Sequence, residues 1–232
     1  MLELVGVMVQ QDGNDRLHRT QIGIRPGEIL GVAGACGAGK TTLLSVFAGL
    51  LKPDRGQVML DGRDVTRRLD RLRARAGYVG HEFHGPIDVS PTEWLDLWGE
   101  FDGVSRKART SRIRQAMHRF NLEGQPDRVA DCSSGFRKRL SLARLWVSQP
   151  ALMILDQPSE GLDGHGLRAL SEAIRDAAAE GHSIVFSDSS PHLPISVCDR
   201  VVLLQAGTVS AVVSRNDDHF ETMIAESQGW SQ

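Results

Sequence analysis

Cysteine is scarce in this chain, with three among 232 residues. Cys36, Cys132 and Cys198 are widely spaced and odd in number, which argues against a disulfide framework or a zinc site and fits reduced thiols in a cytosol. Long hydrophobic runs are missing as well. No apolar stretch approaches the roughly 20 residues needed to cross a bilayer, and the first residues show no basic-then-apolar secretion signal, so a soluble chain is expected. Nor is there an excess of positive charge. With 27 Lys and Arg against 29 Asp and Glu, the net charge is −2, and no nucleic-acid partner is expected. The Arg-rich stretches 63–75 and 106–119 are interleaved with Asp and apolar residues, as on solvated helix faces. Internal repeats and low-complexity tracts are absent, and the polar, weakly amphipathic stretch from about Ser214 carries no assigned role. The length suits one domain over residues 1–232, with room for a subdomain but not for two nucleotide-binding units.

What the chain does have is Gly34-Ala35-Cys36-Gly37-Ala38-Gly39-Lys40-Thr41, an uninterrupted G-x-x-x-x-G-K-T loop. The apolar run Ile29 to Ala33 before it reads as a buried strand and the run from Thr42 to Leu51 after it has helical character, the context this motif needs. Glycines at 34, 37 and 39 allow unusual dihedrals that bring backbone N–H groups against phosphates at a helix N-terminus. Lys40 supplies a point charge for the β- and γ-phosphates, Thr41 a hydroxyl for Mg²⁺, and Thr42 a further phosphate hydrogen bond. A glycine-rich turn with a chance lysine would not carry this full spacing and these flanks.

Residues 2–9 and 18–24 read as two strands joined by a polar turn beginning at Gln11, and Gln57 to Leu60 as another strand, before a charged helix near 67–75. From Ser90 to about Val147 the pattern is almost wholly helical, opening on Ser90-Pro91-Thr92-Glu93, a capping signature with proline at the first helical position. Strands at 151–156, 183–187, 200–204 and a last one beyond Gln205, with a helix over 163–179, return the chain to strand and helix alternation. The expected fold is α/β, a mainly parallel sheet core with an antiparallel β subdomain and an inserted helical subdomain. The core spans about 1–81 and 149–232, and the helical subdomain about 82–148.

Asp156 ends a buried strand, where a carboxylate is costly unless it binds a cation or hydrogen bonds; Mg²⁺ is its natural partner. Loop and carboxylate together form a Walker A and Walker B pair, the mark of a P-loop NTPase. At this point nearly the whole chain resembles the ATP-binding subunits of ABC transporters. Cys132-Ser133-Ser134-Gly135-Phe136 stands where that family has its Leu-Ser-Gly-Gly-Gln signature, with Ser133 and Gly135 matching. In the family this segment reaches across a dimer to the nucleotide of the opposite subunit. A serine hydroxyl and a glycine at a helix N-terminus favour an anion, and Ser133 can also simply cap its helix. Ser159 to Asp163 looks like the D-loop, Gly77 to His81 falls at the Q-loop, and the stretches around 89–95 and 101–106 are similar to the short helical subdomain of ABC-2 type exporters.

Four positions depart from the family pattern. Gln157 follows Asp156 where the family has the glutamate that polarises the attacking water, and an amide cannot accept a proton. Ser189 stands in place of the switch histidine, with His182 and His192 out of register. Gln11 occupies the place of the aromatic residue that stacks on adenine, and His81 replaces the Q-loop glutamine. Either a native glutamate has been replaced at position 157 to trap ATP, or the site is naturally degenerate; several departures together favour divergence. The resemblance thus implies an ABC-type ATPase, an energy-coupling subunit of a membrane exporter that binds ATP with Mg²⁺ and is weak in hydrolysis at its own site. It implies membrane-spanning transporter subunits as partners, a homo- or heterodimer with a second ATP-binding subunit, and a cytoplasmic, peripheral place on the inner face of the cell membrane. An ordinary ATPase subunit altered at position 157 and an ATP-sensing pseudo-ATPase regulator are the alternatives.

Overall fold

A computed structural model describes residues 1–11, 13–124 and 126–227. Two sheets share one body. Strands β1 (Leu2–Gln11), β2 (Asn14–Ile24), β4 (Arg55–Leu60) and β5 (Arg63–Asp64) form an antiparallel sheet in the order β2-β1-β4-β5. The second sheet has the order β10-β9-β3-β8-β7-β6, from β3 (Ile29–Ala33), β6 (Ala76–Val79), β7 (Leu152–Asp156), β8 (Ser183–Ser187), β9 (Arg200–Gln205) and β10 (Thr208–Ser214). Its pairs are parallel except β10 on β9.

Strands β3, β7 and β8 are buried at every position, as near-continuous apolar runs require when both faces of a parallel sheet are covered. Alternate residues go to opposite cores. Met153, Leu155, Ile184 and Phe186 join the core beneath the helices, whereas Leu152, Ile154 and Val185 join the core shared with the antiparallel sheet and α1 (Lys40–Phe47).

The helical segment comprises α3 (Pro91–Phe101), α4 (Arg106–Arg119) and α5 (Ser134–Ser148), following the four-residue α2 (Asp70–Arg73). Helix α3 opens with the expected capping box: Ser90 Oγ accepts from the Glu93 N–H at 3.2 Å, and Glu93 Oε2 accepts from the Ser90 N–H at 2.8 Å. Helices α6 (Gly164–Ala179), α7 (His192–Val197) and α8 (Phe220–Ser227) are the remaining α-helices among the described residues, α8 burying Phe220 and Ile224.

Several boundaries differ from the sequence reading. Helix α1 ends at Phe47, short of the apolar run, because Gly49 takes a left-handed φ of 68°. The charged helix near 67–75 contracts to the single turn of α2. Within 90–147, the described residues between α4 and α5 are not helical apart from one 3₁₀ turn at Val129–Asp131; Asn121 and Gly124, at φ 54° and 68°, break the helix. The first two strands run almost to each other, to Gln11 and from Asn14, and Asp12 of the expected turn lies outside the described residues.

Candidate functional site

Strand β3 delivers Gly34 from the middle of the parallel sheet, and α1 begins at Lys40, so the glycine loop crosses from a strand end to a helix N-terminus. Two of its glycines are required by the protein itself as well as by any phosphate. A Cβ on Gly34 would lie 2.2 Å from the Leu204 carbonyl oxygen, and one on Gly39, at φ 102°, 2.7 Å from that of Arg16. Lys40 is buried and folds over the loop, donating from Nζ to the carbonyls of Gly34 at 2.6 Å and Ala35 at 3.0 Å. Burial lowers its pKa, and the nearby Cys36, Asp156 and Asp188 oppose that shift.

Asp156 ends β7 and is buried. Its Oδ1 accepts from Ser187 Oγ at 2.5 Å, and its Oδ2 from the hydroxyl of Tyr78 at 3.5 Å. Burial, with Asp156 alongside, pushes the Tyr78 hydroxyl up to about 12 and keeps it a donor. Thr41, Tyr78, His81, Asp156 and Gln157 line one cavity of about 430 Å³. A threonine hydroxyl and one fixed carboxylate on one cavity suit a hard cation such as Mg²⁺, which keeps waters and phosphate oxygens as its other ligands. Among the described residues no cluster of three or more His, Cys, Asp or Glu could hold a metal by itself.

Gln157 sits immediately beyond β7 at φ 49°, its N–H donating to the Ser187 carbonyl at 3.1 Å. Ser159 donates from Oγ to Asp188 Oδ1 at 2.7 Å, which ties the segment after β7 to the end of β8, and Asp163 caps α6 through the Gly166 N–H. Ser189 follows as an exposed residue. Lys138, from α5, reaches the carbonyls of Asp156 at 3.4 Å and Gly80 at 3.5 Å, and burial lowers its pKa.

Burial raises the pKa of Asp188, while the Ser190 and Ser159 hydrogen bonds pull it down. With the folded value above the unfolded one, the folded chain holds this proton more tightly. Its contribution is present below the unfolded carboxylate range and is lost as pH rises through the folded value. Asp188→Asn should therefore gain stability relative to the parent as pH goes from about 4 to about 7, each pKa unit being worth about 1.4 kcal/mol. Thermal unfolding of both proteins across that range checks it; a pH-independent difference contradicts it.

The signature segment lies at the start of α5. Ser133 is the N-cap, its Oγ accepting from the Phe136 N–H at 3.2 Å, and Ser133 and Ser134 are exposed. Gly135 is held close to the segment after β7, since a Cβ there would lie 2.9 Å from the Gly161 carbonyl oxygen.

The structure thus brings Thr41, His81, Asp156 and Gln157 together and leaves other candidates elsewhere. Ala35, Cys36, Gly37 and Ala38 line a second cleft of about 520 Å³ against β9 and α8. Thr42 is half-buried in α1. Gln11 is exposed at the hairpin tip opposite Asn14, whereas the backbone of Arg16 is what abuts the loop. Sequence reasoning missed Tyr78, Lys138, Ser187 and Asp188. A signal existed for Tyr78, the one tyrosine in the chain, in the Q-loop segment; Ser187 ends a buried strand just as Asp156 does, and Asp188 comes directly after it.

Residues 17–160 match the family model described as ABC transporter. The Nod factor export ATP-binding protein I of Burkholderia lata is 32% identical over 185 residues, covering 79% of this chain and 61% of that protein. A putative ABC transporter ATP-binding protein of Pyrococcus abyssi is 34% identical over 188 residues, covering 79% of this chain and 72% of the other. The daunorubicin resistance ATP-binding protein DrrA3 of Streptomyces coeruleorubidus is 29% identical, covering 84% and 62%. The chain spans less than two thirds of the length of the Burkholderia protein. Among solved structures, an ATP-binding subunit of an ABC transporter superposes with a TM-score of 0.86 at 24% identity, over 97% of this chain and 94% of that one. A dimeric ATP-binding cassette bound to ADP and Pi gives 0.81 at 21% identity, over 94% and 100%, and both show the fold. On the family match and these identities, this chain belongs to the ABC transporter family.

Proposed function

We propose that the chain is the ATP-binding, energy-coupling subunit of a membrane ABC exporter, one that binds ATP with Mg²⁺ and dimerises but hydrolyses poorly at its own site. One observation carries this: Thr41, which closes an intact phosphate loop, and Asp156 share a cavity with Gln157, an amide where a base is needed. Lys40 and the loop N–H groups bind the phosphates, and Thr41 and Asp156 would hold Mg²⁺, which would supply charge neutralisation at the phosphates. Export and drug resistance in the names of the relatives support the exporter reading. Residues 1–81 and 149–232 act as the nucleotide core and 82–148 as the helical subdomain, and membrane-spanning subunits dock between them on the inner face of the cell membrane.

The exposed Ser133 and Ser134 and the half-buried Gly135, remote in function from the chain's own loop, complete the nucleotide site of a second ATP-binding subunit, identical or different. ATP then closes the dimer and hydrolysis, mainly at the partner's site, reopens it. Ser133→Arg tests the arrangement. It should lower phosphate release by the assembled transporter by about 10²-fold or more, since it places a bulky cation where a hydroxyl should meet the phosphate. Nucleotide titration of the chain's own loop should be unchanged. Undiminished phosphate release would refute the role of Ser133.

A further inference from the structure

One pair of titratable side chains at the nucleotide cavity has no part in this reading. His81 Nδ1 lies 2.9 Å from Glu160 Oε2. They come from separate segments, His81 just beyond β6 and Glu160 in the connection from β7 to α6. The Glu160 N–H points to the Gln157 carbonyl at 3.4 Å, so the carboxylate belongs to the turn that carries Gln157. His81 shares the cavity with Thr41, Asp156 and Gln157. The two side chains are 60% and 53% exposed, so their pairing contributes little to stability. An imidazole whose Nδ1 hydrogen is held by a carboxylate presents the lone pair of Nε2 as an acceptor on the far side of the ring.

We propose that His81, oriented by Glu160, accepts the proton of the attacking water at this chain's own site, in place of the carboxylate that Gln157 lacks. The proposal rests on the ATP-binding reading above. The water oxygen bonds to the γ-phosphorus as the bond from that phosphorus to the β,γ-bridging oxygen breaks. The electron pair of the broken bond leaves on ADP, and the water proton passes to His81 Nε2. The carboxylate of Glu160 stabilises the imidazolium, which returns its proton to solvent from its exposed position. Glu160 is a positioning residue: it fixes the tautomer and does not touch the water. The Gln157 amide can hydrogen-bond the water without taking its proton.

The other groups facing the cavity are poorer candidates. The Tyr78 hydroxyl, pushed up to about 12, is no base near neutral pH. Asp156 is committed to the cation, and Lys138 approaches the carbonyl end of β7 from α5. Glu82 and His84 line the same cavity but have no hydrogen-bonded partner among the described residues to orient them.

The test is single-turnover phosphate release by the full chain with Mg-ATP, for the parent, His81→Gln and Glu160→Gln, alongside ATP titration of each. His81→Gln should slow release by about 10²-fold and Glu160→Gln by about tenfold, with ATP affinity held within about threefold. Two results overturn the proposal with ATP still bound: release by His81→Gln within about twofold of the parent, or parent release no faster than that of Lys40→Ala. A parent that binds no ATP overturns the ATP-binding reading itself, and this proposal with it.

Discussion

Replacing Lys40 with alanine should abolish measurable Mg-ATP binding. Each charge-assisted hydrogen bond contributes about 1.5–3 kcal/mol. Loss of two to the β- and γ-phosphates therefore amounts to a weakening of about 10²- to 10⁴-fold. The loop would keep its N–H cradle, because Gly34 and Gly39 also pack closely against β9 and β2. The ammonium now bonds the Gly34 and Ala35 carbonyls, so it must exchange those partners for phosphate oxygens when nucleotide enters. A nucleotide titration of the purified variant checks the prediction, with circular dichroism to show that it folds. Unchanged affinity would remove the phosphate-loop assignment.

The features that were legible in the sequence are local ones. The phosphate loop is one contiguous motif, β7 is an apolar run ended by a carboxylate, and the Ser90 capping box spans four residues whose geometry follows from their spacing. The contacts that were not legible depend on strand register. Asp156 pairs with Ser187 across β7 and β8, and that register, not the local sequence, brings the serine hydroxyl to the carboxylate. Tyr78 reaches Asp156 from β6, whose register against β7 is equally invisible in either strand alone. Asp188 holding Ser159, and His81 meeting Glu160, join segments that only the parallel order β8-β7-β6 sets side by side. Helix ends were misplaced for a different reason. Gly49, Asn121 and Gly124 stop helices by adopting left-handed φ values, and apolar periodicity carries no record of that.

Gln157→Glu alone should restore little hydrolysis at this chain's site, despite supplying the carboxylate that loss of a general base usually makes worth about 10²- to 10⁴-fold. The reason is that two groups differ from the family pattern together. Gln157 lies at the end of β7, its N–H on the Ser187 carbonyl, while the exposed Ser189 follows the buried Asp188 only two residues beyond Ser187. A glutamate at 157 would stand in the base position, but Ser189 cannot contact the γ-phosphate as an imidazole would. The decisive measurement is phosphate release by the assembled transporter with Gln157→Glu, with Ser189→His and with both. Small gains from each single change, with a larger gain only from the pair, fit a site that diverged as a whole and left hydrolysis mainly to a partner. Recovery of most of that factor by Gln157→Glu alone contradicts this, because it would mean that Ser189 is tolerated and that one amide separates the chain from an ordinary ATPase subunit.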